Sequence, residues 1–184
     1  TVLIMGGGSG VGSFGIQIAK LYNCDVIATA SPDKLDKCLE LGADYAVDHR
    51  KEDWNKEVFK ISKEIAKTKG EAPGIDVSFD HIGQTHWNKQ ISMLKFGGTL
   101  VSCGATTGYD AKMDLRHVFF KGTNILGSTQ GTKAELDEGL YWMGKGKIKA
   151  AIDSIHTFEQ AAEAHTKMLT AKQFGKILMK PEGA

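Results

Sequence analysis

The chain has 184 residues, of which 41% are hydrophobic, and its formal net charge is +1. This length suits one domain with a small appendage, and the apolar fraction is sufficient for a buried core. The nearly neutral charge gives no sign of binding to nucleic acid or to an anionic membrane surface. No apolar run reaches the roughly 18 residues of a membrane span. We therefore expect neither nucleic acid nor a membrane as a partner.

The cysteines are few and widely spaced. Cys24, Cys38 and Cys103 form no CxxC motif, so the sequence predicts packing residues and neither a disulfide framework nor a structural zinc site. Free cysteines suit a reducing compartment, and we predict a cytoplasmic protein.

The first fifteen residues join an apolar run to a glycine-rich stretch and then to a helical pattern. Gly10–Gly15 fits GxGxxG, and Gly7–Gly12 fits it except that Ser9 stands at the middle glycine. Glycines let the backbone approach a pyrophosphate, and the free N–H groups at a helix start favour its charge. We therefore expect Ser9, Gly10, Val11 and Gly12 to bind a dinucleotide. A plain tight turn is the alternative, but the flanking strand and helix favour the dinucleotide.

Strand and helix patterns alternate along the chain. The predicted strands are Val2–Met5, Val26–Thr29, Tyr45–Val47, Ile75–Asp80, Thr99–Cys103 and Asn124–Ser128. The predicted helices are Gly10–Tyr22, Pro32–Leu41, Trp54–Thr68, Gln84–Leu94 and Lys133–Gly144, with Asp53 as a candidate cap of the third. This alternation predicts an α/β Rossmann fold, a doubly wound six-stranded parallel sheet with helices on both faces. Its ligand should lie at the switch point beside the first strand.

The tail adds one further unit. Residues 158–169 show the pattern of an amphipathic helix, and residues 174–180 that of a strand. We therefore divide the chain into a dinucleotide-binding domain, 1–146, and a C-terminal helix-strand segment, 147–184.

Several short motifs follow one another along the whole chain. They are Gly10-Val11-Gly12, Leu41-Gly42-Ala43-Asp44, Phe79-Asp80-His81-Ile82-Gly83, Gly97–Gly104, Ile125–Ser128 and Phe174–Leu178. In this order they resemble the medium-chain dehydrogenase/reductase superfamily, especially its quinone oxidoreductases, alcohol dehydrogenases and enoyl-CoA reductases. The resemblance implies a GroES-like catalytic domain before the nucleotide domain, which this chain does not include. The C-terminal segment would return to that domain, and without it Ile177–Met179 must pack elsewhere or pair with another chain.

The end of the second strand bears on the choice of nucleotide. NAD enzymes place an acid there to bind the ribose 2′-hydroxyl, whereas this chain has Ala30-Ser31. Lys34 follows in the first helical turn, where a cation gains nothing from the helix dipole but would match a 2′-phosphate. By resemblance, Lys34 binds that phosphate and His49, beside Arg50, takes the place of a helping tyrosine. We expect NADP(H) in preference to NAD(H).

The alternative for Lys34 is a solvated lysine paired with Asp33 or Asp36. Further cofactor contacts follow from the resemblance, which implies that the backbone after strands four to six lines the nicotinamide ribose and carboxamide. The residues concerned are Ile82-Gly83, Gly104-Ala105 and Ser128. For the two glycines, ordinary turn geometry is the competing explanation.

No catalytic residue can be named from the sequence. The six histidines form no zinc motif, and no nucleophile–base pair is evident. The expected chemistry is hydride transfer between a nicotinamide cofactor and a small alcohol or carbonyl, quinone or enoyl substrate, bound by way of the missing domain. The fragment should be inactive alone, and zinc, if the full enzyme uses it, would bind outside this chain.

Two other classes of function stay open. One is a non-catalytic nucleotide-binding or sensing module, and the other is a ligand-free relic of the fold, in which Ser9 crowds the pyrophosphate. The resemblance also implies a homodimer through the edge strand Asn124–Ser128, because an exposed edge can pair across a two-fold axis.

Overall fold

A computed structural model describes residues 1–181, which alternate strands and helices from end to end. The elements are β1 (Val2–Ile4), α1 (Gly10–Leu21), β2 (Val26–Ala30), α2 (Leu35–Glu40), β3 (Tyr45–Asp48), α3 (Trp54–Lys69), β4 (Ile75–Asp80), α4 (Trp87–Met93), β5 (Leu94–Ser102), α5 (Leu115–Lys121), β6 (Asn124–Gly127), α6 (Lys133–Gly144), β7 (Ile152–Thr157), α7 (Ala161–Leu169) and β8 (Lys176–Lys180). Short 3₁₀ turns, Pro32–Lys34 and Phe158–Gln160, precede α2 and α7.

Six strands form one parallel sheet in the order β3-β2-β1-β4-β5-β6. The chain moves outward from β1 to β3, then crosses back to β4 on the other side of β1. Val2 accordingly lies between Val26 of β2 and Val77 of β4. The predicted Rossmann sheet is confirmed, and its switch point lies between β1 and β4.

The core occupies both faces of this sheet. On one face Leu3 and Met5 pack with Trp54 and Val58 of α3. On the other face Ile4 packs with Ile16 of α1 and with Cys38 of α2. Successive residues of β1 thus serve opposite faces, and all five residues of β2 are buried, as expected for strands covered on both sides.

Some elements differ from the sequence prediction. Strand β5 begins at Leu94 where the prediction began at Thr99, and α5 and β7 were not predicted. Helix α5 has seven residues and buries none of them, so it is too short for a helical period to be recognised in its sequence. Asp53 occupies the N-cap position of α3, as predicted, but its side chain makes no capping hydrogen bond.

The tail forms its own two-stranded parallel sheet, β7 with β8, joined through α7. Ile155 faces Leu178 and His156 faces Met179 across it. Residues 177–179 therefore pair within the chain, through a strand that the sequence did not reveal. The end of the proposed 147–184 segment, residues 182–184, lies outside the described residues. Within residues 1–181, no helix has both the length and the apolar character needed to cross a bilayer.

Candidate functional site

The turn after β1 is built so that the backbone passes close to the start of α1. Ser9 caps α1, and its Oγ accepts a hydrogen bond from the Gly12 N–H at 2.8 Å. A Cβ at Gly12 would overlap the carbonyl oxygen of Gly6. Since α1 begins at Gly10, the turn itself is residues 6–9, and the motif frame that fits it runs from Gly7 to Gly12. We call residues 6–9 the glycine loop.

A cleft of about 290 Å³ opens at the carboxyl edge of the sheet, beside the glycine loop. It is lined by Gly6, Gly8, Ser9, Ala30, Ser31, Lys34, His49, Arg50, His81, Ile82, Thr106, Ala171 and Gln173. Except for Ala171 and Gln173, which follow α7, these residues lie at or after the carboxyl ends of β1 to β5. The cleft therefore lies at the switch point, where α/β sheets bind their ligands. A larger depression of about 390 Å³ lies against α3, away from the strand ends.

A buried polar network shapes the turn after β4. The Asp80 carboxylate accepts hydrogen bonds from the Ile82 N–H at 3.2 Å and the Gly83 N–H at 3.1 Å. Gln90 of α4 donates to the same carboxylate at 2.9 Å and accepts from the Ser78 hydroxyl at 2.7 Å. This fully buried carboxylate thus accepts hydrogen bonds from three neighbouring groups, which holds His81 and Ile82 in the cleft.

One end of the cleft carries positive charge and ring nitrogens. Lys34 Nζ donates to the Ala171 carbonyl at 2.6 Å, and Arg50 lies 3.9 Å from the Asp33 carboxylate. Burial lowers the pKa of His49 to about 4, so its imidazole is neutral near pH 7. Asp33 therefore lies with Arg50, and Lys34 bonds to a carbonyl in place of the acid partner considered above.

The C-terminal segment forms the wall of the cleft that the sequence did not predict. The Gly175 N–H donates to the Gly8 carbonyl at 2.8 Å, and Phe174 is buried in the core beside α2. Gln173 Oε1 is buried without a hydrogen-bond partner. A Cβ at Gly10 would run into the side chain of Lys176, which therefore lies over the start of α1. No local signal reveals these contacts, because they join residues more than 130 positions apart.

The structure brings together five of the residues expected to bind cofactor: Ser9, Ser31, Lys34, His49 and Ile82 line the cleft. Gly10, Val11 and Gly12 form the first turn of α1 beside it. Gly104 lies against the His81 backbone, where a Cβ would be 3.1 Å from the His81 carbonyl oxygen. Ser128 follows β6, with its N–H donating to the Ser102 carbonyl at 2.9 Å. Gly104 and Ser128 are at the same sheet edge but outside the cleft, and their contacts stay predictions.

This fold and this cleft define a dinucleotide-binding domain of the Rossmann type. Residues 10–145 match the family model described as zinc-binding dehydrogenase, and the chain belongs to that family. The match covers α1 to α6: it begins directly after the glycine loop and includes five of the six strands of the large sheet.

Three relatives illustrate the similarity. A crystal structure described as NAD-dependent alcohol dehydrogenase is 37% identical, with a TM-score of 0.85 over 97% of this chain and 50% of its own. The 2-octenoyl-CoA carboxylase reductase CinF, solved with NADP and 2-octenoyl-CoA, is 26% identical, with a TM-score of 0.83 over 97% of this chain and 42% of its own. Crotonyl-CoA reductase of Streptomyces collinus is 28% identical over 89% of this chain and 39% of its own.

The chain spans about half the length of the curated relatives it matches, and it corresponds to their cofactor-binding half. Two features of its cleft fit a dinucleotide. The glycine loop lies so close to α1 that a Cβ at Gly12 would overlap the Gly6 carbonyl oxygen, and the amide oxygen Gln173 Oε1 is buried without a partner. Zinc does not fit in the same way. Among residues 1–181, no three His, Cys, Asp or Glu side chains come together to hold a metal ion.

Proposed function

We propose that this chain is the NADP(H)-binding domain of an oxidoreductase that transfers a hydride to or from a small alcohol or carbonyl, quinone or enoyl substrate. The observation that carries the choice of NADP(H) is the group formed by Lys34, His49 and Arg50 at one end of the cleft. A 2′-phosphate needs cations and hydrogen-bond donors, and this end of the cleft offers both.

The roles of the other residues follow from their positions. The pyrophosphate would lie against the start of α1, where the N–H groups of the first turn have no partner within the helix. Ser9, Gly10 and Val11 surround this point, and Lys176 adds a positive charge. Ile82 would pack on the nucleoside. The nicotinamide supplies the hydride chemistry when bound, and this chain binds and orients it.

The relatives support both nicotinamide cofactors. The alcohol dehydrogenase structure is described as NAD-dependent, whereas the CinF structure contains NADP. Residues of this cleft favour the second. Ser31 stands at the end of β2, and the nearest acid, Asp33, is exposed and paired with Arg50. One of the three N–H donors of the Lys34 ammonium group bonds to the Ala171 carbonyl, which leaves two donors for a phosphate.

For the whole enzyme we propose only a substrate class and a type of activity. The alcohol dehydrogenase and the CoA-ester reductases among the relatives support an alcohol, carbonyl or enoyl substrate. This chain contributes the cofactor half, and we propose that it is inactive without a substrate-binding domain. A non-catalytic nucleotide module would bind the same cofactor, so activity of the complete gene product distinguishes the two.

Calorimetric titration with NADPH and, separately, NADH tests the nucleotide assignment. We expect NADPH to bind about 10- to 100-fold more tightly than NADH, since charge-assisted hydrogen bonds contribute about 1.5–3 kcal/mol. In Lys34→Ala the two affinities should become similar, through loss of NADPH affinity alone.

The matched control is Lys67→Ala. Lys67 is exposed in the last turn of α3, where its neighbour Lys69 pairs with Asp25 before β2, at the opposite edge of the sheet. It should leave both affinities unchanged. Equal binding of NADPH and NADH by the wild type would remove the NADP(H) assignment, and failure to bind either would remove the dinucleotide site.

We also propose that the domain forms a homodimer through β6. This strand is an edge of the large sheet, and all four of its residues are exposed. Phe96 of β5, the strand beside it, and Phe120 of α5 pack as tilted rings with centroids 5.8 Å apart, and both are exposed. Exposed apolar edges of this kind favour pairing between chains. Light scattering should show a dimer that Leu126→Lys converts to a monomer, and a wild-type monomer at high concentration would contradict the proposal.

The predicted cytoplasmic location remains a proposal as well. Cys24, Cys38 and Cys103 are all free thiols in the structure. Burial raises the pKa of Cys38 to about 12, which keeps it protonated and unreactive. Cell fractionation with antibody detection tests the location directly.

A further inference from the structure

Ser9 and His81 join the two sides of the switch point. Ser9 follows β1 and stands where the motif has its middle glycine, while His81 follows β4. The Ser9 Oγ lies 3.1 Å from His81 Nε2 and also accepts the Gly12 N–H at 2.8 Å. Both side chains line the cleft, and Ser9 is the residue directly before the first turn of α1.

The Ser9 hydroxyl has one hydrogen and can therefore donate only one hydrogen bond. When Nε2 of a neutral His81 has no proton, it accepts that hydrogen, and Ser9 has nothing left to donate. When a neutral His81 with its proton on Nδ1 takes up a second proton, this proton lies on Nε2, which donates to Ser9 Oγ, and Ser9 Oγ then accepts from both His81 and Gly12. The hydroxyl hydrogen is then free to turn into the cleft, where the first turn of α1 favours an anion.

The surroundings of His81 include groups that lower its pKa and groups that raise it. Burial lowers the pKa of His81, whereas the Asp80 charge and hydrogen bonds with the backbone of Met5 and Gly6 raise it. Burial and Asp80 raise the pKa of the Cys103 thiol on the neighbouring strand end, so this thiol stays neutral. The other titratable or charged groups that line the same cleft are Lys34, His49 and Arg50.

We propose that His81 is a positioning residue for the dinucleotide pyrophosphate: a proton on its Nε2 turns the Ser9 hydroxyl into a donor toward the anion. The proposal rests on the proposed function, because it needs a pyrophosphate at the start of α1. Binding of the anion and protonation of His81 then favour each other, so affinity increases as the pH falls.

The test uses ADP-ribose, which contains the pyrophosphate but lacks the 2′-phosphate that Lys34, His49 and Arg50 would bind. Its affinity is measured by calorimetry from pH 5.5 to pH 8, in buffers with different enthalpies of ionisation, which count the protons taken up. We expect about tenfold tighter binding at the acidic end, which corresponds to a change of about one pKa unit on binding. Proton uptake should accompany it.

His81→Gln and Ser9→Gly should each bind with an affinity that no longer depends on pH, and the double variant should add nothing to either. Glycine is tolerated at a helix N-cap, so the second variant should fold even if the first does not. His165→Gln is the matched control: His165 is exposed on α7, and the variant should keep the wild-type pH profile.

The outcomes separate the two proposals. Absence of ADP-ribose binding at every pH would overturn both the dinucleotide site and the role of His81. Binding that does not change with pH in the wild type would overturn the role of His81 alone. A pH dependence lost in His81→Gln but retained in Ser9→Gly would overturn the part assigned to the Ser9 hydroxyl.

Discussion

The two ends of the large sheet differ in how completely the chain covers them. Strand β2 has every residue buried, and α1 buries five residues against the sheet. Strand β6 has every residue exposed, and α6 buries none. The β2 end therefore derives its stability from packing within residues 1–181, whereas the β6 end keeps apolar surface that a partner could cover. The candidate site lies on the well-packed side.

Glycine substitutions should have opposite effects in the two regions. Gly12→Val places a side chain on the Gly6 carbonyl, which is backbone and cannot move aside cheaply. We expect a loss of roughly 4 kcal/mol or more in the free energy of unfolding, together with loss of nucleotide binding. Gly139→Ala in α6 meets open space and should gain about 0.5–1 kcal/mol. Urea denaturation measures both, and similar effects at the two glycines would contradict the comparison.

Truncation of one isoleucine in each region sharpens the same contrast. Ile27 in β2 is fully buried, and Ile27→Ala should lower the free energy of unfolding by about 2–5 kcal/mol. Ile125 in β6 is 38% exposed, and Ile125→Ala should cost less than about 1 kcal/mol. Denaturation at low protein concentration avoids any contribution from association. A cost at Ile125 equal to that at Ile27 would show that the β6 end is packed after all.

The β2 end should also be the more sensitive to acid. His49 has a folded-state pKa of about 4, mainly because it is desolvated, whereas an unfolded histidine titrates near 6.5. Between these values the unfolded chain binds more protons, so the contribution of neutral His49 is complete above pH 6.5 and is lost as the pH falls toward 4. Allowing for its partial exposure, we expect a loss of about 2 kcal/mol.

Urea titrations at pH 7.5 and pH 4.5 measure this loss. His49→Gln should reduce the loss over this window by the share of His49. Burial also lowers the pKa of His81 and His86, so their share of the loss should remain. The exposed His165→Gln should leave the profile as in the wild type. A wild-type profile in His49→Gln would mean that other groups cause the sensitivity to acid.

The smallest effect is expected at the start of α6. A helix with no buried face depends on its ends, and Thr132 and Glu135 form a capping box there. Thr132→Ala should cost about 1 kcal/mol, seen as faster amide hydrogen exchange in the first turns of α6. Thr129→Ala, in the exposed segment before the helix, is the control. No change in exchange for Thr132→Ala would show that contacts other than the cap hold α6.

The sequence was most informative where local pattern and packing agree. The glycine loop, the apolar strand β2 and the amphipathic α3 predicted the parallel sheet and its switch point. Helix α5 and strand β7 could not be predicted in this way, since α5 has no buried residue and β7 mixes polar with apolar side chains.

The candidate site shows the same division. Ser9, Lys34 and His49 follow from local motifs and from the resemblance, because each lies within a few residues of the end of a predicted strand. Ala171 and Gln173 enter the cleft only through tertiary contacts. The hydrogen bond between Ser9 and His81 likewise forms only because β4 lies next to β1 in the sheet. The residues around Ser9 and His81 in the sequence do not predict this pairing.

The hydrogen bond from Gly175 to Gly8 has a consequence for how the protein is made. The glycine loop leaves the ribosome before the segment that walls it, because that segment follows more than 160 residues later in the sequence. Contacts of such long sequence separation form late and slowly during folding. A nascent chain halted before residue 171 would have its strands and its helix start but an unfinished pocket. Competence to hold a nucleotide would therefore be acquired only after Gly175 has left the ribosome and reached Gly8.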